Sequence, residues 1–136
     1  MTLTNRPARI LLIEDSEIDT VIFKLMIKKT LDHPVIDTCK NGLAAIEKLT
    51  ALKSQGDELL PDYIFLDLAM PMMDGWQFMD EYNRLNIDPM HKSKIYVLSS
   101  SINKTDVIKS HANPRVETFL SKPIDFGKIK SVFFSN

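Results

Sequence analysis

The sequence predicts an α/β protein whose parallel sheet is covered by helices on both faces. Short apolar segments alternate five times with segments of helical spacing, a pattern that favours parallel strands joined by helices. The apolar segments ILLI (10–13), YIFLD (63–67) and IYVLS (95–99) are continuous, as expected for strands buried on both faces. At 136 residues, the chain is long enough to bury the core of one domain.

The first strand, 10–13, is followed at once by two acidic residues. Ser16 is expected to cap a helix that runs to about Leu31, and acidic residues in its first turn suit the helix dipole. The apolar residues of this helix cover more than one face, so we expect some to be exposed or covered by another element. They lie at positions 18, 21, 22, 23, 25, 26 and 27.

The middle of the chain continues the alternation. VIDTC (35–39) predicts a second strand, and leucine and isoleucine at helical spacing predict a helix from about Leu43 to Lys53. The polar stretch KSQGDELLP (53–61) is expected to be a connection. The third strand, 63–67, is expected to lead into a helix from Gly75 to about Leu85.

The last third of the chain predicts two more strand–helix pairs. IYVLS (95–99) is the fourth strand and precedes a helix over about 104–111. VETFL (116–120) is the fifth strand, and a short helix over about 125–134 follows it. Gly127 is a poor helix former, so the shape of this last face is hard to predict.

Composition excludes several classes of function. The net charge is −1 and no cluster of lysine and arginine marks a nucleic-acid surface, so we expect no direct nucleic-acid binding. No apolar run is long enough for a signal peptide or a membrane span, so we expect no membrane insertion. The single cysteine, Cys39, is expected to fill the core. These features predict a cytoplasmic protein.

Polar residues collect where the predicted strands end. Glu14 and Asp15 follow the first strand, Asp67 ends the third, Ser99 ends the fourth, and the fifth leads to Lys122. Because ligands of such sheets bind at the carboxyl ends of the strands, we expect these side chains to converge. Three neighbouring carboxylates require a cation, and oxygen-only ligands favour Mg²⁺.

Mg²⁺ and a lysine together form a clamp for a phosphoryl group, whose oxygens need positive charge in the transition state. An aspartate beneath such a clamp can itself be the nucleophile. We expect a functional role for Asp67 rather than a turn or capping role, because Asp15 and Lys122 are expected at the same edge of the sheet. Ser100 and Ser101 are expected to be ordinary loop hydroxyls.

Four segments, ILLIEDS, YIFLDLAMPMMDGW, VLSSS and FLSKP, resemble in order and spacing the receiver domain of bacterial two-component response regulators. The resemblance extends over nearly the whole chain. It implies a doubly wound, flavodoxin-like sheet of five parallel strands in the order 2-1-3-4-5. It also implies that residues 1–136 form one receiver domain.

The resemblance implies roles for the acidic residues. Asp67 would be the phosphoacceptor. Asp15, Asp67 and the backbone carbonyl of Ala69 would bind Mg²⁺ directly, and Glu14 would act mainly through metal-bound water. The remaining site residues would come from the last two strands. Ser99 would be the switch hydroxyl, Lys122 the partner of a phosphoryl oxygen, Phe119 the aromatic whose rotamer reports activation, and Pro123 a cis proline.

The resemblance further implies a signalling domain that promotes its own phosphorylation and dephosphorylation rather than an enzyme. Its phosphodonor would be a phosphohistidine on a sensor histidine kinase or a histidine phosphotransfer protein. We expect no output domain after Asn136, so the signal is expected to leave through a separate downstream protein. Ile18, Ile22 and Phe23 on the first helix are the candidate docking surface for the phosphodonor.

The sequence leaves two alternatives open. A haloacid-dehalogenase-like phosphatase also uses an aspartate nucleophile and magnesium, but its nucleophile would lie on the first strand with a second acid two residues later. Here the candidate lies on the third strand and Ala69 occupies that second position. A pseudo-receiver that binds a partner without being phosphorylated is the other alternative.

Overall fold

The computed structural model describes residues 6–100 and 103–134, and within these ranges five strands form one parallel sheet. The strands are β1 (Arg9–Ile13), β2 (Val35–Cys39), β3 (Tyr63–Asp67), β4 (Lys94–Ser99) and β5 (Val116–Ser121). Their order is β2-β1-β3-β4-β5, with parallel pairing throughout. The prediction of a doubly wound sheet with strand order 2-1-3-4-5 is confirmed.

The described residues also form five α-helices, one after each strand. They are α1 (Glu17–Thr30), α2 (Gly42–Gln55), α3 (Gly75–Arg84), α4 (Lys104–Ala112) and α5 (Phe126–Phe134). The predicted connection over 53–61 is partly wrong, because α2 continues to Gln55 and a 3₁₀ turn covers Asp57–Leu59. Polar lysine, serine and glutamine are compatible with a helix. The helix ends at Gln55, and the next residue, Gly56, has a φ of 155°, a backbone conformation that residues with a side chain rarely adopt.

The core consists of two apolar layers, one on each face of the sheet. On one face of the sheet, Leu49 of α2 and Phe78 of α3 are buried in the core. On the other face, Phe23 of α1 and Ile129 of α5 are buried in the core. Phe65 of β3 is fully buried, as expected for a strand covered on both sides. Cys39 is buried, as predicted.

Helix α1 carries apolar residues on two opposite faces. Its inner face buries Phe23, which packs against Phe65 with ring centroids 4.7 Å apart. The expectation that Phe23 belongs to a docking surface is therefore wrong. Its outer face exposes four apolar side chains at helical spacing, which we call the outer stripe: Ile18, Val21, Ile22 and Leu25.

Among the helices of the described residues, none has both the length and the apolar character needed to cross a membrane.

The strand register brings the predicted site residues to one edge of the sheet. Ile13 of β1 pairs with Leu66 of β3, so the residues that follow them are neighbours. Asp67 pairs with Leu98 of β4, and the backbone N–H of Lys122 donates to the carbonyl of Ser99 at 2.8 Å. The carboxyl ends of four strands therefore contribute to a single site.

Candidate functional site

Three carboxylates meet at this edge. Glu14, Asp15 and Asp67 each offer an oxygen atom, and these atoms lie within 4.8 Å of one another. Glu14 and Asp67 are both 4% exposed, whereas Asp15 is exposed. Like charges at this spacing repel, and burial strengthens the repulsion, so the ionised cluster favours a cation among its oxygens. A donor set made only of oxygen fits a hard divalent ion such as Mg²⁺.

Lys122 supplies positive charge to the same cluster. Its Nζ atom donates to Glu14 Oε1 at 2.6 Å and to Asp67 Oδ2 at 3.3 Å. A further contact joins Nζ to Asp19 Oδ2 at 3.3 Å. The structure therefore brings the predicted residues Glu14, Asp15, Asp67 and Lys122 together. Asp19 was not predicted, because a first-turn acid is already explained by the helix dipole.

Burial controls the ionisation of this site. Removal of Glu14 from water raises the pKa of its carboxyl group to about 7, and the neighbouring Asp67 adds to the rise. The hydrogen bonds from Lys122 and from the Ser16 N–H act in the opposite direction. Burial opposes the charged form of Lys122, but the surrounding carboxylates of Glu14, Asp67 and Asp19 raise its pKa overall. The lysine is therefore cationic at neutral pH.

The loop between β3 and α3 holds the Asp67 side chain through a backbone hydrogen bond. Asp67 Oδ1 accepts the backbone N–H of Ala69 at 3.1 Å, and the Gly75 N–H donates to the Leu68 carbonyl at 3.0 Å. Met72 has a left-handed backbone (φ 70°) and an exposed side chain. Ala69 is exposed on this loop, and its carbonyl as a metal ligand stays a prediction.

The predicted switch residues lie in two places. Ser99 is buried at the end of β4, in register with Ser121 of β5. Phe119 is half-buried on β5 and lines a cavity of about 430 Å³ beside α4, away from the carboxylates. Ser100 is exposed, and Ser101 lies outside the described residues. The switch roles of Ser99 and Phe119 stay predictions.

A second lysine holds the turn that carries Lys122. The Lys122–Pro123 peptide bond is cis. Lys128 of α5 reaches back to this turn, and its Nζ donates to the carbonyls of Ser121 at 2.8 Å and Pro123 at 3.1 Å. In the sequence Lys128 is an ordinary helix lysine, so only the folded turn shows its contacts.

Comparison with known proteins agrees with this geometry. A family model described as "Response regulator receiver domain" matches residues 10–133. Response regulator Rcp1 of Synechocystis sp. is 34% identical over 120 residues, which cover 88% of this chain and 79% of Rcp1.

Solved structures show the same similarity. A two-component response regulator from Cytophaga hutchinsonii is 30% identical and superposes with a TM-score of 0.83 over 95% of this chain and 96% of that one. The Mn(2+)-bound form of Rcp1 (28% identical) and the phosphorylated cyanobacterial regulator RcpA (25% identical) each give a TM-score of 0.73 over 96% of both chains. With a family model that matches residues 10–133 and a sheet of the expected order, this chain belongs to the response regulator receiver domain family.

Proposed function

We propose that this receiver domain accepts a phosphoryl group on Asp67 from a phosphohistidine and passes the signal to a partner protein. One observation carries the proposal: a buried strand-end carboxylate, Asp67, lies beside an acidic pair and within 3.3 Å of the ammonium nitrogen of Lys122. This arrangement supplies a nucleophile, a cation site and a fixed positive charge together.

The proposed transfer makes one bond and breaks one. A carboxylate oxygen of Asp67 forms a bond to phosphorus while the N–P bond of the phosphohistidine breaks. The electron pair of that bond returns to the imidazole nitrogen, which then takes up a proton. Lys122 donates a charge-assisted hydrogen bond to a phosphoryl oxygen and so offsets the charge that builds up there. Later attack of water on phosphorus releases inorganic phosphate and restores the carboxylate.

The residues that would hold Mg²⁺ are Asp15, Asp67 and the carbonyl of Ala69, with Glu14 acting through water. Bound Mg²⁺ supplies positive charge to the oxygens of the phosphoryl group. The donor chemistry of the three carboxylates supports this choice, as does a Mn(2+)-bound structure of the relative Rcp1. The phosphorylated structure of RcpA supports phosphorylation of this chain in the same way.

The proposed output is a population shift between two arrangements of the face formed by α4, β5 and α5. Ser99 would donate to the new phosphate oxygen and draw its loop inward, and Phe119 would change rotamer. The cavity of about 430 Å³ beside Phe119 supports this proposal, because it offers room for the ring to move. A separate downstream protein would recognise the changed face.

The outer stripe of α1 is the proposed docking surface for the phosphodonor, a sensor histidine kinase or a histidine phosphotransfer protein. Ile18 is 72% exposed and Val21 is 57% exposed, which is unusual for apolar side chains on one face of a helix. The same helix carries Asp19, which contacts Lys122, so a partner on this stripe lies next to the site.

The family assignment argues against the phosphatase alternative.

The test is intact mass after incubation with acetyl phosphate and Mg²⁺. We expect one added phosphoryl group on the native protein, none on Asp67→Asn, and none when Mg²⁺ is omitted. Asp80→Asn is the matched control, because Asp80 is exposed on α3 outside the site, and it should be labelled like the native protein.

A short-lived phosphoryl group could escape detection, so beryllofluoride binding is followed in parallel by fluorescence of Trp76. The Trp76 indole N–H donates to Asp106 of α4 at 2.9 Å, so its emission should report a change between α3 and α4. No adduct and no fluorescence change would contradict phosphorylation and favour the pseudo-receiver.

A further inference from the structure

The carboxylates that contact Lys122 differ in their exposure to solvent. Among the described residues, three carboxylates contact its Nζ atom, from Glu14, Asp67 and Asp19. The side chains of Glu14 and Asp67 are 3% and 5% exposed, whereas that of Asp19 is 48% exposed. An ammonium group has three N–H donors, so these three carboxylates can occupy all of them.

A phosphoryl group on Asp67 requires one of these donors. Glu14 is enclosed, and its Oε2 atom also accepts the Ser16 N–H at 3.1 Å, so it is poorly placed to leave. Asp67 receives the phosphoryl group itself. Asp19 is the contact that can yield, because rotation about its side-chain bonds places its carboxylate in water. Its backbone N–H can stay bonded to the cap, Ser16 Oγ, at 3.2 Å.

Asp19 also lines a cavity that reaches Lys122. With Pro123 and Ser100 it lines a cavity of about 420 Å³ whose wall includes Lys122. Its neighbours Ile18 and Ile22 belong to the outer stripe of α1. An anion that approaches Lys122 through this cavity therefore meets the carboxylate of Asp19, whereas a protein that covers the outer stripe also covers Asp19.

We propose that Asp19 is a specificity-determining residue of the phosphorylation site. Its carboxylate occupies Lys122 and repels small anionic phosphodonors, and a protein docked on the outer stripe turns it away from the lysine. This inference rests on the proposed function, since it assigns a role in the transfer to Asp67. Asp19 would thereby favour a protein donor over a small phosphorylated metabolite.

The test compares the rates at which acetyl phosphate labels the native protein, Asp19→Asn and Asp19→Ala in Mg²⁺. In this reaction an Asp67 oxygen bonds to phosphorus while acetate leaves with the electron pair of its P–O bond. Loss of one negative charge beside the lysine should raise the rate constant about three- to tenfold at low ionic strength. The gain should shrink in high salt, because the charge is half exposed and screened.

Glu17→Gln is the matched control. Glu17 lies in the same first turn, its side chain is 83% exposed, and its carboxylate pairs with Lys40 at 3.6 Å instead of Lys122. This variant removes the same charge and should stay within about twofold of the native rate. The alanine variant is included because an asparagine amide oxygen can still accept from Lys122, and thermal unfolding shows that each variant is folded.

Native-like or slower labelling of both Asp19 variants, with Glu17→Gln unchanged, would overturn the role of Asp19 and leave the proposed function standing. A similar gain in the labelling rate of Glu17→Gln would also overturn it, because the effect would then come from the net charge of the protein and not from the contact between Asp19 and Lys122. If no protein is labelled and beryllofluoride also leaves the fluorescence of Trp76 unchanged, the proposed function falls and the role of Asp19 falls with it.

Discussion

Replacing Glu14 by glutamine is expected to remove most of the pH dependence of stability of the metal-free protein between about pH 5 and pH 8. Burial raises the pKa of Glu14 from 4.5 to about 7 in the folded protein. As pH rises, the unfolded chain releases this proton first, while the folded protein keeps it until about pH 7. The folded state therefore binds more protons in this range, and its stability falls as pH rises.

The size of the effect follows from the shift in pKa. Each unit corresponds to about 1.4 kcal/mol, so the free energy of unfolding of the native protein should fall by about 3 kcal/mol across this window. Glutamine cannot ionise, so the variant should lose most of that decline. Urea unfolding in a chelator at several pH values measures it, with Glu47→Gln on the exposed face of α2 as control. An equal decline in Glu14→Gln would show that another group is responsible.

Gly75→Ala is expected to lower the free energy of unfolding by about 2 to 3 kcal/mol. A Cβ atom at this position would lie 2.6 Å from Leu68 Cδ2, 2.9 Å from Leu68 Cα and 3.1 Å from the Asp67 carbonyl oxygen. Two of these neighbours are backbone atoms next to the proposed phosphoacceptor, so the loop itself must shift. Labelling by acetyl phosphate should slow as well.

Gly127→Ala serves as the control for this substitution. In α5 an added Cβ would meet only the Asp125 Oδ1 atom, at 3.3 Å. This atom accepts the Lys128 N–H at 2.9 Å, and a shift of a few tenths of an ångström relieves the contact without loss of that hydrogen bond. Alanine has a higher helix propensity than glycine, so stability should rise by about 0.5 kcal/mol. Urea midpoints of the two variants should therefore move in opposite directions. A Gly75→Ala protein as stable as the native one would contradict the close contact at Leu68.

The architecture could be predicted because the central strands are short, uninterrupted apolar segments that can be recognised in the sequence. Ile64, Phe65 and Leu66 are apolar without interruption and are buried on both sides. Asp67 could be located for the same reason, since a charged residue that closes such a segment marks the edge where ligands bind.

The face of α1 could not be assigned from sequence. Ile22 and Phe23 are both apolar and adjacent, and only packing against Phe65 decides that the phenylalanine points inward. The contacts of Asp19 and Lys128 also depend on tertiary structure. Asp19 of α1 contacts Lys122, which is more than 100 residues later in the chain, and Lys128 of α5 reaches back to the turn that carries Lys122. An aspartate or a lysine in the first turns of a helix is common, so neither residue stands out in the sequence.

The measurement that tests the central proposal most directly is the position of the phosphoryl group. After labelling with acetyl phosphate and Mg²⁺, borohydride reduces an aspartyl phosphate to homoserine, which peptide mass spectrometry can place in the chain. We expect homoserine at position 67, with Glu14 and Asp15 unchanged. Reduction at another carboxylate, or none in a protein that has gained a phosphoryl group, would contradict Asp67 as the phosphoacceptor.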